Sequence, residues 1–283
     1  MALTSYRHDG LTFDVREAGP DDGQAVLLLH GFPQDATSWD AVAPALAAAG
    51  YRTLAPDQRG YSPGARPRGA EHYRWRHLVD DTLALLDAAQ VQRAHVVGHD
   101  WGGFVAWALA ADRPDRVQSL SVLSTPHPAA MRRAALRGQA LRSWYIGTFQ
   151  LPGLPERLLA PGSRGWAQLM RGLPPQAKEH FTERMSEPDA LGAALDWYRA
   201  LPRELASPSV HVGRIGVPTL YVWGTRDPAL GRAAALATAD YVTGPYRFEA
   251  VVGAGHWLPE AAADRVVPPL LEQLAGAPAD RSR

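Results

Sequence analysis

Apolar and polar positions alternate between two periods along the first half of the chain. Residues 11–18 alternate as a half-buried strand does. Residues 24–30 (QAVLLLH) are apolar without a break, as a strand covered on both faces of a parallel sheet would be. Residues 39–50 then carry helical spacing, closed by Gly50, and residues 51–56 read as a short strand. Residues 78–90 predict an amphipathic helix, with Leu78, Leu85 and Leu86 inward and Asp80, Asp81 and Asp87 toward solvent. The rhythm repeats as a strand at 93–99, a small-residue helix at 102–111 and a strand at 117–124. It is the rhythm of an α/β protein with a mostly parallel, doubly wound sheet.

From 129 to 213 no strand pattern is found, and Pro152, Pro155, Pro161, Pro174, Pro175, Pro188, Pro202 and Pro208 divide the segment into short helices. Strand patterns return at 217–224 and 246–252, and a helix near 266–274 closes the chain. The expected organisation is an α/β core over 1–128 and 214–283, interrupted by a helical cap at 129–213. At 283 residues the chain suits about two domains, or one large domain with an insertion.

Composition removes several classes of chemistry. With no Cys, a thiol nucleophile, a disulfide and a zinc–thiolate site are ruled out. The 29 basic and 29 acidic residues cancel, which gives nucleic acid or an anionic membrane nothing to be drawn to. No run reaches the roughly 18 apolar residues of a membrane span, and residues 1–10 lack the apolar core of a secretion signal. The expectation is a soluble cytoplasmic protein.

Four short motifs carry the candidate chemistry. The sharpest, Gly98-His99-Asp100-Trp101-Gly102-Gly103, lies between a buried strand and a helix, in the form of a nucleophile elbow with Asp100 at its tip. A carboxylate is ionised at neutral pH and needs no base to attack saturated carbon. A simple helix-capping role is the competing reading of Asp100. His30-Gly31-Phe32-Pro33 follows the strand at 24–30, where the N–H of Phe32 can join that of Trp101 as an oxyanion hole. Asp227 (GTRDP, 224–228) and His256 (GAGHW, 253–257) follow the last two strands, in the order nucleophile, acid, histidine. His256 would activate water, oriented by Asp227. Of the ten histidines, His8, His72, His77, His180 and His211 read as ordinary surface or core residues.

With HGFP (30–33), DQRGYS (57–62), GHDWGG (98–103), Asp227 and GAGHW (253–257), the chain resembles the α/β-hydrolase superfamily, and within it the soluble epoxide hydrolases, over about residues 11–272. SWYIGTFQLPGLPE (143–156) and LDWYRA (195–200) resemble the two cap segments of that family, whose tyrosines fall on Tyr145 and Tyr198. The resemblance implies that these two phenols hold the epoxide oxygen while Asp100 opens the ring. A diol would form without metal or organic cofactor. A phenol suits the task because it gives a charge-assisted hydrogen bond to a developing alkoxide. Trp144 and Trp197, with Phe32 and Trp101, are candidate pocket walls. The implied partners are a small-molecule epoxide and water, with a homodimer permitted. One departure is the loop Ser62-Pro63-Gly64-Ala65-Arg66-Pro67, where the family often has Gly-x-Ser. We read it as structural.

Two other readings compete. A haloalkane or haloacid dehalogenase uses the same Asp nucleophile, and Trp101 is compatible with holding a halide. Phe32 stands where a second halide ligand, often Asn, would be, and the tyrosine pair has no role there. Haloacetate dehalogenases commonly carry Arg where this chain has Trp101. The third reading is a hydrolase-like binding protein without catalysis.

Overall fold

The computed structural model describes residues 2–206 and 212–276, so Pro208 and His211 lie outside the described residues. Its strands are β1 (Ser5–His8), β2 (Leu11–Ala18), β3 (Ala25–Leu29), β4 (Arg52–Pro56), β5 (Ala94–His99), β6 (Val117–Leu123), β7 (Thr219–Gly224) and β8 (Tyr246–Val251). They form one eight-stranded sheet in the order β1-β2-β4-β3-β5-β6-β7-β8. β2 runs antiparallel to both its neighbours, β1 and β4, and β3 through β8 are mutually parallel. Helices α1 (Ala43–Ala48), α2 (Trp75–Ala88) and α3 (Trp101–Asp112) connect the first strands.

Seven helices stand between β6 and β7 among the described residues: α4 (Pro128–Ala134), α5 (Gln139–Arg142), α6 (Trp144–Phe149), α7 (Leu154–Leu158), α8 (Arg164–Leu169), α9 (Pro175–Ser186) and α10 (Ala190–Ala206). α11 (Arg232–Ala237), α12 (Leu258–Ala261) and α13 (Ala263–Leu274) complete the chain.

The unbroken apolar run of β3 is explained by its two neighbours. Leu27 and Leu29 face one cluster with Leu85 of α2 and Leu109 of α3. Val26 and Leu28 face the other with Leu46 of α1 and Leu270 of α13. The first cluster continues into the inserted helices through Phe149, Phe181 and Trp197, so insertion and sheet share one core.

Four local readings differ from the structure. β1 went unread because it is four residues long with one buried side chain, Tyr6, stacked on Phe13. Its signal is the Asp9-Gly10 turn, where both φ values are positive, as a two-residue hairpin turn requires. The helix expected over 39–50 is shortened to α1, which starts at Ala43 with Pro44 in its first turn. Asp81 is not turned to solvent: it is 5% exposed and takes a bidentate ion pair from Arg59 at 2.7 Å and 2.7 Å. Helical spacing shows which face a residue occupies, but not that a distant guanidinium is buried against it. Pro202 does not end a helix but lies inside α10. The carbonyl it frees one turn back is that of Tyr198, and Gln150 Nε2 donates to that carbonyl at 2.8 Å.

Candidate active site

The chain turns sharply from β5 into α3 at Asp100, whose backbone is at φ 51° and ψ −118°. The turn is tight because the start of α3 is pressed against the end of β3. A Cβ on Gly102 would lie 2.1 Å from the carbonyl oxygen of Leu29, and one on Gly98 would lie 2.4 Å from that of Gly102. A non-glycine residue in this conformation costs about 1–3 kcal/mol, which the surroundings must hold in place. Thr125 contributes by donating its hydroxyl to the Asp100 carbonyl at 2.7 Å. The Asp100 side chain makes no capping bond to α3, so the helix-cap reading is set aside. Its carboxylate instead faces two other loops, at Phe32 and at His256.

Oδ1 of Asp100 accepts the N–H of Phe32 at 2.9 Å, and Oδ2 lies 3.5 Å from His256 Nε2. On its other side, His256 Nδ1 donates to Asp227 Oδ2 at 2.8 Å. Asp227 is held by the N–H groups of Ala229 and Leu230, which donate to Oδ1 at 2.8 and 3.0 Å. Trp101 is the first residue of α3, so its N–H has no acceptor within the helix. The side chain of Asp100 keeps 20% of its surface open, which leaves it reachable.

The imidazole lies between two carboxylates. Burial disfavours its charge, but Asp227 and Asp100 outweigh burial and raise the pKa of His256 well above the usual value. Burial likewise opposes ionisation of Asp100, yet the hydrogen bond and charge of His256 hold it below the usual carboxylate range. The resting arrangement is a carboxylate, an imidazolium and a second carboxylate in line.

The two tyrosines come from different inserted helices and meet near Asp100, whose charge acts on both. Tyr145 on α6 and Tyr198 on α10 have ring centroids 6.1 Å apart. Tyr198 is edge-on to Trp101 at 4.9 Å and to Phe32 at 5.3 Å. Burial, then the nearby charge of Asp100, raises the pKa of both phenols, so both stay protonated and able to donate. Because Gln150 just beyond α6 holds the Tyr198 carbonyl, the helices carrying the two phenols are tied together.

The candidate walls divide. Phe32 and Trp101 border the carboxylate. Trp197 is buried one layer behind, edge-on to Trp101 at 5.6 Å, with its indole N–H donated to the Arg59 carbonyl at 2.8 Å. Trp144 is not a wall: it is 70% exposed, one position off the Tyr145–Phe149 stripe that faces inward on α6. Phe149, which the sequence reading did not single out, takes that place, edge-on to Tyr198 at 4.9 Å. Its signal was the four-residue spacing from Tyr145. The loop after DQRGYS is structural as read: Ser62 Oγ donates to the Asp57 carbonyl and accepts the Asp14 N–H, both at 2.8 Å. His180 is more than an ordinary surface residue. It joins α9 to the buried Asp35 at 2.7 Å, beside Arg184, which reaches Asp35 at 3.2 Å and Asp57 at 3.0 Å. Among the described residues no group of three or more His, Asp or Glu side chains is placed to hold a metal ion, and no helix is long and apolar enough to cross a membrane.

The profile of the α/β-hydrolase fold family matches residues 24–262. Epoxide hydrolase A of Mycobacterium tuberculosis is 35% identical, covering 95% of this chain and 95% of its own length. The AB hydrolase superfamily protein YfhM of Bacillus subtilis is 37% identical, over 88% of this chain and 90% of its own. Among solved structures, epoxide hydrolase A of Mycobacterium thermoresistibile superposes with a TM-score of 0.86 at 30% identity, covering 96% of this chain and 97% of the other. Both measures extend across sheet and inserted helices alike, and this chain belongs to the α/β-hydrolase fold family and, within it, to the epoxide hydrolases.

Proposed function

We propose that the chain hydrolyses an epoxide to a vicinal diol through a covalent ester on Asp100. The observation that carries this reading is the place of one carboxylate. Asp100 lies 3.5 Å from an imidazolium and close enough to a pair of protonated phenols for its charge to act on both, with one of its oxygens already on a backbone N–H. Oδ2 attacks an epoxide carbon, the carbon–oxygen bond breaks, and the alkoxide takes a proton from Tyr145 or Tyr198. Oδ1 becomes the ester carbonyl oxygen and stays on the Phe32 N–H. His256 then returns a proton to the phenolate. Ester formation has removed the charge of Asp100, one of the two carboxylates that raise the His256 pKa, so the imidazole becomes a base only at this stage.

In the second half, His256 takes a proton from water as the water attacks the ester carbonyl carbon. The N–H groups of Phe32 and Trp101 hold the oxyanion. Collapse releases the diol and restores carboxylate and imidazolium, so each turnover consumes one epoxide and one water. No step draws on a metal or organic cofactor. In this reading residues 129–213 act as the cap over a core of 1–128 and 214–283. The proposed partners are the epoxide and water. A cytoplasmic location and a homodimer belong to the same reading, and cell fractionation and sedimentation of the native protein test them.

Intact-protein mass spectrometry of a His256→Gln variant tests the chemistry, with an aryl epoxide and a haloalkane offered separately. The expected result is a gain equal to the whole epoxide, mapped to Asp100. A gain only with the haloalkane, less its halide, would move the assignment to dehalogenation. No adduct from either would remove the nucleophile role from Asp100.

A further inference from the structure

Behind His256 runs a buried row of polar groups that the reaction above does not use: Glu260, Gln34 and His99. Gln34 Oε1 accepts the N–H of Gly31 at 2.9 Å and also lies 2.9 Å from His99 Nδ1. A backbone N–H can only donate, so the atom facing it is the amide oxygen, and the orientation of Gln34 is decided. Its Nε2 then faces Glu260 and donates to Oε1. The other ring nitrogen of His99, Nε2, lies 2.9 Å from the carbonyl oxygen of His256. That carbonyl also receives the Ser124 hydroxyl at 2.9 Å and the Leu258 N–H at 2.8 Å.

Both nitrogens of His99 therefore face atoms that only accept. A neutral imidazole has a single N–H. One of the two contacts would then set a lone pair against an oxygen, inside the protein where no water relieves it. Two N–H groups satisfy both. The carboxyl that can match this charge is one amide away: the Oε2 atom of Glu260 is buried and has no hydrogen-bond partner among the described residues.

We infer that His99 is held as an imidazolium with Glu260 as its buried counter-ion through Gln34, and that these three positioning residues set the Phe32 N–H and the His256 backbone for ester hydrolysis. Burial is the largest influence on each group and favours neutrality, and with the surrounding charges included His99 stands at about 4 and Glu260 at about 7. The charged groups facing His99 are His256, which opposes its proton, and Asp100 and Asp227, which favour it. Those facing Glu260 are His256 and Asp35. The two directed bonds of His99 tip the balance to the charged ring, because neutrality forfeits one of them. Gly31 precedes Phe32, so Gln34 reaches one side of the site while His99 reaches the other.

Long-range proton–nitrogen NMR of histidine-labelled protein tests the protonation state without reference to turnover. The signal is assigned by its loss in His99→Gln. In the wild type at neutral pH both ring nitrogens of His99 are expected to be protonated. In Glu260→Gln, which preserves shape and an acceptor, the ring is expected to become neutral. Moving the carboxylate along the row, in the double variant Gln34→Glu/Glu260→Gln, restores the imidazolium. A neutral ring in the wild type, or an imidazolium indifferent to Glu260→Gln, would overturn the inference.

The kinetic arm rests on the hydrolase reading. Glu260→Gln is expected to slow decay of the covalent intermediate about tenfold, the weight of one buried hydrogen bond. The double variant recovers the rate. If the wild type forms no ester, that failure belongs to the reaction, and the NMR result still decides the brace. Unchanged decay in Glu260→Gln, in an enzyme that does form the ester, refutes the positioning role.

Discussion

A Cβ added to Gly31 would lie 2.3 Å from the Cβ of Asp100 and 2.6 Å from its Oδ1. The second residue of HGFP is thus a glycine because the carboxylate occupies the space a side chain would need. That approach lets the next N–H, from Phe32, reach Oδ1 at 2.9 Å. Gly31→Ala must displace either the loop or the carboxylate. A misplacement near 1 Å costs about a hundredfold in rate, and kcat for diol formation is expected to fall by that order. Turnover close to wild type in a steady-state assay would show the contact to be slack.

Tyr145→Phe and Tyr198→Phe should each slow ester formation by roughly tenfold to a hundredfold, since the remaining phenol still donates. Ester decay should hardly change, because the phenols take no part in activating water. Stopped-flow tryptophan fluorescence separates the two phases, Trp101 being edge-on to Tyr198 at 4.9 Å. If both single variants and the wild type form the ester at one rate, the paired-donor assignment fails.

His180 and Asp35 predict how α9 is held to the sheet as pH changes. The Asp35 hydrogen bond raises the pKa of His180, so its stabilising effect is full below the unfolded histidine pKa and is lost as pH rises through the folded value. Burial opposes ionisation of Asp35, but His180 and Thr37 bring its carboxyl to about 2, so its effect is lost only as pH falls toward that value. The Tm difference between wild type and His180→Gln should be larger at about pH 5 than at about pH 9, where the pair is uncharged on one side. A difference that grows with pH would contradict the assignment.

The Arg59–Asp81 pair is buried on both sides, with side chains 1% and 6% exposed. Asp81→Ala leaves the buried guanidinium with only the exposed Asp9 carboxylate, 3.8 Å away, and is expected to cost about 3–5 kcal/mol in urea unfolding. A loss below about 1 kcal/mol is what a surface pair would give and would refute the structural role. The Arg59 carbonyl also accepts the Trp197 N–H, so the variant should loosen α10 where Tyr198 is carried.

The elements that positioned the site were legible because their signals are local. The uninterrupted apolar run of β3 needs covering on both faces, and both faces are covered. Glycines around Asp100 mark a turn too tight for side chains, and the added-Cβ distances at Gly98 and Gly102 show why. Asp227 and His256 each follow a strand, and neighbouring parallel strands bring such ends together at one edge of the sheet.

Where reading failed, the deciding partner was far away in the chain. Asp81 looks like one of several helix carboxylates until Arg59 is buried against it. Pro202 looks like a helix end until Gln150 takes the carbonyl it frees. Trp144 and Tyr145 are equally aromatic neighbours, and only the packing of α6 turns one to solvent and the other toward Asp100. By itself the sequence determined the sheet from β2 onward, its helical insertion and the identity of the candidate nucleophile, acid, histidine and phenols, because period and glycine spacing act over a few residues. The tertiary structure alone decided which rings wall the carboxylate, that His256 rests between two negative charges, and that His99 and Glu260 share a buried row. Burial and electrostatics depend on distances across the fold, and no local pattern carries them.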